Sequence, residues 1–156
     1  MGLAVRPKDA YTFDQVVSTL RGVMRMINEL VTDPEAKRLL QARIPVEGVY
    51  GNCDGERAGL AKLLPSLTEG PRHLELGGRK ICLIHNRQRL RHEDFEASDI
   101  LVCGHTHEPK VERREGRLVV NPGECCGWLS GRCTVAVIDT HAMSADVKEV
   151  YEQVRS

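Results

Sequence analysis

The sequence lacks several features that would place it at once in a broad class of proteins. Lysine plus arginine number 22 and aspartate plus glutamate also number 22, so the formal net charge is zero. Without a basic field to hold a polyanion, extended nucleic acid is not an expected partner. The chain also has no apolar run with the length of a signal peptide or a membrane span. We therefore expect a cytoplasmic protein without a membrane partner.

The cysteines do not form a recognisable ligand or disulfide pattern. There are six, and no two of them are spaced as a C-x-x-C pair. Most lie inside apolar runs, so we expect reduced, buried thiols. Repeats, low-complexity stretches and linkers are also missing, and 156 residues suit one domain with a core of ordinary size. The sequence predicts a single domain over residues 1–156.

Helical periodicity is clearest near the N-terminus. Apolar residues recur at helical spacing over residues 12–30, and Asp33 followed by Pro34 predicts the start of a second helix that ends near residue 43. A third helix is predicted over 56–64, and a short polar helix over 88–96. The predicted helices alternate with short apolar runs typical of strands.

Those apolar runs predict strands and two hairpins. Residues 44–50 and 99–103 are compact apolar runs bounded by turn residues. Gly77-Gly78 predicts a hairpin turn before a strand over 80–84, and Glu115-Gly116 predicts a second hairpin over 111–120. Residues 133–138 and 143–150 complete the strands. The pattern predicts an α/β fold.

Polar side chains follow four of these strands. They are Asn52 with Asp54, His85, His105 with His107, and Asn121. Strand ends of α/β folds collect such groups into one cleft, and imidazole with amide or carboxylate oxygen suits manganese, iron, nickel or zinc. We expect a positive φ at Gly104, to let the chain leave the sheet, and a left-handed exit at Asn86. The sequence predicts a transition-metal site, although any single histidine here is more often structural.

Four motifs in this order resemble one family. They are Gly-Asn-Cys-Asp at 51–54, Ile-His at 84–85, Gly-His-Thr-His at 104–107 and Asn-Pro-Gly-Glu-Cys-Cys-Gly at 121–127. The chain from about residue 44 onward resembles the calcineurin-like metallophosphoesterase superfamily, and within it the small YfcE-type phosphodiesterases. The resemblance implies a four-layer αββα sandwich with a two-metal cleft at the sheet edge. It also implies hydrolysis of a small phosphodiester or phosphomonoester by metal-activated water.

The resemblance assigns metal-binding roles by position. Asn52, His85 and His105 would bind one ion, and His107 would bind the other. Manganese is the expected ion, with nickel, iron and zinc as alternatives. The family holds two ions, and we expect one or two here.

The resemblance and the surrounding residues also give candidates for catalysis and substrate binding. Cys53 occupies the position where the wider superfamily has a histidine that assists phosphate binding or leaving-group protonation, and Asp54 would orient the site. Asn121 would contact a ligand or hold its loop. Arg87, the first of three alternating arginines, is a candidate for the phosphate group, although such a run is usually a solvated face.

The N-terminal part departs from the family pattern. Family members begin with a strand that leads into an Asp-x-His motif, and a later Gly-Asp bridges the two metals; neither motif is present here. Residues 2–5 are a candidate for a residual first strand, and residues 1–43 form a divergent helical segment before the motif-bearing part at 44–156. Asp9 and Asp33 are the only carboxylates there that we offer as substitutes. The predicted sandwich is therefore atypical or incomplete at its N-terminus.

Three interpretations follow from this departure. The leading one is an enzyme that keeps at least one metal position, with two-metal catalysis weakened. The second is a non-catalytic metal-binding or protein-interaction module on the same fold. The third is an altered start that removes ligands present in active relatives. Missing central strands would expose sheet edges, so a homo-oligomer is a natural compensation.

Overall fold

The structure, a computed structural model, describes residues 2–5, 46–55, 57–125, 127 and 129–149. The helices predicted over 12–30 and from 33 to about 43 lie outside the described residues, and so do Asp9 and Asp33. Of the N-terminal segment, only the backbone strand at residues 2–5 is described, and it is the residual strand that the sequence suggested.

The described residues form strands, two α-helices and one 3₁₀ helix. The helices are α1 Arg57–Leu63 and α2 His92–Glu96, and the 3₁₀ helix is Arg87–Arg89. The strands are β1 Gly2–Val5, β2 Val46–Val49, β3 Leu67–Thr68, β4 Arg72–Leu76, β5 Arg79–Ile84, β6 Ile100–Cys103, β7 Lys110–Arg114, β8 Arg117–Asn121, β9 Thr134–Asp139 and β10 Ser144–Glu149.

A five-stranded mixed sheet is the centre of the described fold. Its strand order is β4-β5-β6-β8-β7, and β5, β6 and β8 are parallel to one another. The outer strands β4 and β7 pair antiparallel with their neighbours. The edge strand β7 carries charged side chains that discourage pairing with another chain. Because β5, β6 and β8 run in the same direction, they end together at one edge of the sheet.

Alternating side chains of the parallel strands build two cores. On one face, the first core contains residues such as Ile81, Ile100 and Val120, with β9 and β10 packed against it. On the other face, the second core contains Cys82, Leu101 and their neighbours, and it is covered by Leu90 and Phe95. Because strand side chains alternate between faces, both faces of β5, β6 and β8 must be apolar. This explains why these strands are short, continuous apolar runs.

Two smaller sheets flank the five-stranded sheet. Strand β2 pairs antiparallel with β1 and parallel with β3, and β9 pairs antiparallel with β10. Val49, the last residue of β2, is fully buried in the first core. This packing brings the loop that follows β2 to the same region as the end of β5.

The structure confirms both predicted hairpins and the apolar strands, and it corrects one helix. The helix predicted over 88–96 is wrong as a single element, because Leu90 is extended (φ −74°, ψ 132°) and separates the 3₁₀ helix from α2. Leu90 packs against the second core in this conformation. The four-layer arrangement stays a prediction, since most of the segment expected to complete it is not described. Within the described part, no helix is long and apolar enough to cross a membrane.

Candidate metal centre

The loops that follow β2, β5 and β6 meet at the carboxyl edge of the five-stranded sheet. Gly104 N–H donates to the carbonyl of His85 at 3.0 Å, which joins the exits of β5 and β6. Parallel strands that pair in register end at the same level, so their first loop residues are neighbours. The edge therefore brings together side chains that are far apart in the sequence.

Three polar atoms converge at this edge. Asn52 Oδ1 lies 2.6 Å from His85 Nε2 and 3.3 Å from His105 Nδ1, and the two ring nitrogens are 3.3 Å apart. The imidazole rings meet edge to face, with centroids 5.1 Å apart and planes at 80°. We call these three atoms the donor triangle. They come from three loops and leave one common position that each of them faces.

The donor triangle fits a divalent transition metal. Two ligands about 2.1 Å from one ion are separated by about 3.0 Å in octahedral and about 3.4 Å in tetrahedral geometry. Burial, reinforced by the neighbouring His105, lowers the pKa of His85 to about 4, so its ring is neutral near pH 7 and offers a lone pair. Among the described residues, no three His, Cys, Asp or Glu side chains form a metal-binding group. The amide oxygen of Asn52 therefore has to complete the ligand set.

The backbone strain lies on the histidines and not on the glycine. His105 and His107 have φ of 74° and 62°, whereas Gly104 does not have a positive φ. A Cβ added to Gly104 would make only ordinary contacts with His85, at 3.8 Å. The expectation of a positive φ at Gly104 is therefore wrong. Left-handed backbone costs a non-glycine residue about 1–2 kcal/mol, so the surrounding loop must hold both histidines in place.

The left-handed exit expected at Asn86 is also wrong. Asn86 has an extended backbone, with φ −114°, and its side chain accepts a hydrogen bond from Gln88 N–H at 2.9 Å. This is an N-cap, which satisfies a backbone donor at the start of the 3₁₀ helix. Asparagine is therefore useful here for its side-chain oxygen and not for its backbone freedom.

His107 lies outside the donor triangle. Its Nδ1 is 3.8 Å from Glu124 Oε2, and the Glu124 side chain is only 3% exposed. The Glu124 carboxylate accepts hydrogen bonds from Leu129 N–H and from the N–H and hydroxyl of Ser130. The prediction that His107 binds a second ion stays a prediction.

Asp54 and Cys53 support the loop that carries Asn52. Asp54 Oδ2 accepts a hydrogen bond from Gly51 N–H at 2.6 Å, which closes the turn after β2. Asn52 Nδ2 contacts the sulfur of the exposed Cys53 at 3.4 Å, so the amide oxygen is the atom that faces the histidines. Both residues predicted to be catalytic thus lie beside the donor triangle. In this structure each contacts the Asn52 loop.

Asn121 and Arg87, the predicted substrate-binding residues, make contacts of their own. Asn121 is 5% exposed; its Nδ2 donates to Thr106 Oγ1 at 2.9 Å and to the Gly104 carbonyl at 3.3 Å, while its Oδ1 accepts from Gly123 N–H. Arg87 donates to Glu112 Oε1 at 2.6 Å. Asn121 therefore holds the histidine loop, and Arg87 is engaged on strand β7.

A cavity of about 260 Å³ opens beside the donor triangle. All three triangle residues line it, together with Tyr50, Arg57, Glu69 and Arg89. The Arg57 guanidinium lies 4.8 Å from the centre of the Tyr50 ring and forms an ion pair with Glu69. Sequence reasoning missed Tyr50 and Arg57. Tyr50 directly precedes the motif at 51–54 and Arg57 follows its last residue by three positions, and this closeness is the signal that could have identified them.

The fold matches the solved structure of an archaeal phosphodiesterase. The structure of a novel archaeal phosphodiesterase superposes with a TM-score of 0.63 at 24% identity, over 89% of this chain and 95% of that chain. At this identity the match shows the fold alone: an α/β protein with a mixed sheet.

The family follows from the sequence match. The model of the calcineurin-like phosphoesterase superfamily domain matches residues 12–153, which is most of the chain. This chain belongs to the calcineurin-like phosphoesterase superfamily, as its four motifs predicted. Membership in this metallophosphoesterase family implies a divalent metal.

Two curated archaeal relatives indicate the group within the superfamily to which this chain is similar in the matched region. Phosphodiesterase MJ0936 of Methanocaldococcus jannaschii is 36% identical over 99 residues, which are 58% of this chain and 60% of that protein. A probable metallophosphoesterase of Methanothermobacter thermautotrophicus is 32% identical over 101 residues, which are 60% of this chain and 55% of that protein. The matched region thus spans less than two thirds of each relative. The chain is homologous to small phosphoesterases of the YfcE type.

Proposed function

We propose that this chain is a metal-dependent phosphoesterase that hydrolyses a small phosphodiester or phosphomonoester with metal-activated water. The observation that supports the proposal is the donor triangle of Asn52, His85 and His105 at the wall of a cavity. These three residues hold the ion, for which Mn²⁺ is the proposed identity. A bound divalent ion supplies Lewis-acid stabilisation of the phosphoryl charge and activates water.

The chain's own residues set the geometry of this site. Asp54 closes the turn after β2, and the contact between Asn52 and Cys53 directs the amide oxygen toward the two histidines. Asn121 fixes the loop of His105 through Gly104 and Thr106. We propose that Cys53 and Asp54 contribute to catalysis through this loop, and that Asn121 acts by positioning His105.

The proposed substrate is a small phosphate ester. The cavity, at about 260 Å³, is smaller than pockets that enclose drug-sized ligands, which begin at about 300 Å³. The net charge of zero also favours a small substrate over a polymer held by a broad basic surface. Both curated relatives carry names that describe phosphoester chemistry, and one is named a phosphodiesterase.

A second candidate function is a metal-binding or protein-interaction module without catalysis. It is favoured by the position of His107, which faces the buried Glu124 and lies outside the donor triangle. A single ion per chain is therefore our proposal for the described residues, and catalysis by one ion is the point to test.

The test is metal stoichiometry together with Mn²⁺-stimulated hydrolysis of bis(p-nitrophenyl) phosphate by the same purified sample. We expect one bound ion per chain and turnover, with both lost in His85→Ala. The matched control is His92→Ala, which removes an exposed histidine on α2 that pairs with Glu96. A bound ion without turnover would favour the non-catalytic module. No bound ion at any Mn²⁺ concentration tested would overturn the phosphoesterase and the metal-binding module, and would favour the protein-interaction module.

Two further features stay predictions. They are a location in the cytoplasm and assembly into a homo-oligomer, which would cover sheet edges left open by the divergent N-terminal segment. Light scattering of the purified chain measures its mass in solution and tests the second.

A further inference from the structure

Three arginines alternate after His85, and they do not share one environment. Arg87 donates to Glu112 Oε1 at 2.6 Å, and Lys110 together with Arg87 holds the pKa of Glu112 below its usual value. Arg91 immediately precedes α2 and does not line the cavity. Arg89 is exposed and lines the cavity beside His85 and His105. The run is therefore not a uniform solvated face.

The 3₁₀ helix explains this separation. A 3₁₀ helix has about three residues per turn, so the side chains of Arg87 and Arg89, two residues apart, point in different directions. Leu90 packs against the second core, and Arg87 is engaged with strand β7. The turn is anchored by the hydrogen bond from Arg89 N–H to the Asn86 carbonyl at 3.0 Å. The side chain of Arg89 is the one left facing the cavity.

The two arginines of the cavity differ in charge compensation. Arg57 forms an ion pair with Glu69 and stacks on Tyr50, so its charge is balanced within the cavity wall. The Arg89 side chain makes no hydrogen bond, ion pair or ring contact with any described residue. Within the described residues, Arg89 is thus the cavity's uncompensated cation, and it lies beside the donor triangle.

We propose that Arg89, and not Arg87, binds the phosphoryl group of the substrate in this cavity. The inference rests on the proposed function for the identity of the substrate, but the assignment of an anion to Arg89 is tested independently. A guanidinium presents a planar fork of donors that matches two phosphoryl oxygens, whereas an ammonium offers a point charge. Arg89 therefore acts in substrate binding and positioning, in the cavity that the metal-binding side chains also line.

The test uses the full chain with and without Mn²⁺, and inorganic phosphate as the probe in isothermal titration calorimetry. Arg89→Ala should weaken phosphate binding about tenfold, as expected for one lost charge-assisted hydrogen-bond partner. Arg89→Lys should recover only part of that loss. The matched control is Arg91→Ala, which removes an exposed arginine two residues away whose side chain also has no partner among the described residues and should leave binding within about twofold. Unchanged Mn²⁺ binding in Arg89→Ala shows that the variant is folded.

The outcomes separate this inference from the proposed function. If Arg89→Ala raises KM for bis(p-nitrophenyl) phosphate and weakens phosphate binding while Arg91→Ala does neither, Arg89 is the phosphoryl ligand. If the wild-type chain has no turnover but binds phosphate through Arg89, the inference about Arg89 stands and the proposed hydrolysis is overturned. If Arg89→Ala and Arg91→Ala bind phosphate alike, or the wild type does not bind it, the inference is overturned whatever the activity.

Discussion

Both edges of the five-stranded sheet have residues with a positive φ, but the residue types that adopt it differ between the edges. At the amino edge of β5 and β8, two-residue turns have positive φ at both positions, Gly77-Gly78 and Glu115-Gly116. This is the geometry that favours tight hairpins. At the carboxyl edge, the positive φ values fall on His105 and His107. Three of the four residues in the turns are glycine and the fourth, Glu115, is exposed, whereas the histidines carry ring nitrogens, of which His105 Nδ1 faces the site.

The difference shows where the fold accepts strain. Glycine adopts a positive φ freely, but for histidine it costs about 1–2 kcal/mol. Hydrogen bonds from buried Asn121 to Gly104 and Thr106 hold the histidine loop in this conformation. The amino edge is built for stability, and the carboxyl edge is built to place side chains, with Asn121 offsetting part of the cost.

The largest expected effect comes from His105→Gly at the carboxyl edge. The change removes one atom of the donor triangle and also relieves the left-handed strain. Mn²⁺ affinity should fall at least about 100-fold, because even residues outside the ligand shell cost about 10–100-fold. The free energy of unfolding without metal should rise by up to about 1 kcal/mol. Calorimetric titration and urea unfolding measure the two effects, and Mn²⁺ affinity within threefold of wild type would exclude the triangle as the site.

The reverse result is expected from Gly77→Ala at the amino edge. Gly77 has φ +57°, and an added Cβ would lie 2.3 Å from Thr140 Oγ1, so something must shift. The variant should lose about 2–3 kcal/mol of stability and keep its Mn²⁺ affinity. Gly78→Ala is the matched control, since Gly78 also has a positive φ but open space around it. It should lose about 1 kcal/mol. Equal losses in the two variants would show that the Thr140 contact does not matter.

Asn121→Ala should lower both stability and Mn²⁺ affinity, because Asn121 lies at the carboxyl edge but is buried. The change removes hydrogen bonds to Gly104, Thr106 and Gly123, so stability should fall by about 1–2 kcal/mol. Mn²⁺ affinity should fall about tenfold through the displaced His105. Weaker phosphate binding with unchanged stability and Mn²⁺ affinity would instead identify Asn121 as a substrate contact.

Local chemistry made the amino edge predictable from the sequence. Gly77-Gly78 and Glu115-Gly116 identify turns by their residue types alone, and the continuous apolar runs of β5, β6 and β8 identify strands covered on both faces. The polar residues at 85 and 105 could also be assigned to one edge, because parallel strands end together. That much follows from residue type and periodicity.

Side-chain direction and strand pairing could not be predicted in this way. Choosing between Arg87 and Arg89 depends on a 3₁₀ turn and on Glu112, which is 25 residues away from Arg87. The positive φ fell on His105 and not on Gly104, because a network centred on Asn121 holds the loop. The antiparallel pairing of β1 with β2 joins segments more than forty residues apart, and no local pattern specifies it.

The smallest effect is expected from the thiols, which contrast the interior of the sheet with its carboxyl edge. Burial, and secondarily the nearby Asp94, raises the pKa of Cys82 from 9.0 to about 11, whereas Cys53 is exposed beside the donor triangle. As the pH rises, the Cys82 thiol ionises in the unfolded chain before it ionises in the folded chain. Its contribution to folding stability is therefore complete below about pH 9 and is lost as the pH rises toward 11. Stability should fall by about 1 kcal/mol from this group by pH 10, measured by urea unfolding.

Peptide mapping after thiol alkylation at pH 9 should find Cys53 modified and Cys82 protected until the chain unfolds. Equal labelling would mean that the second core admits reagent and that the two regions do not differ as the structure indicates.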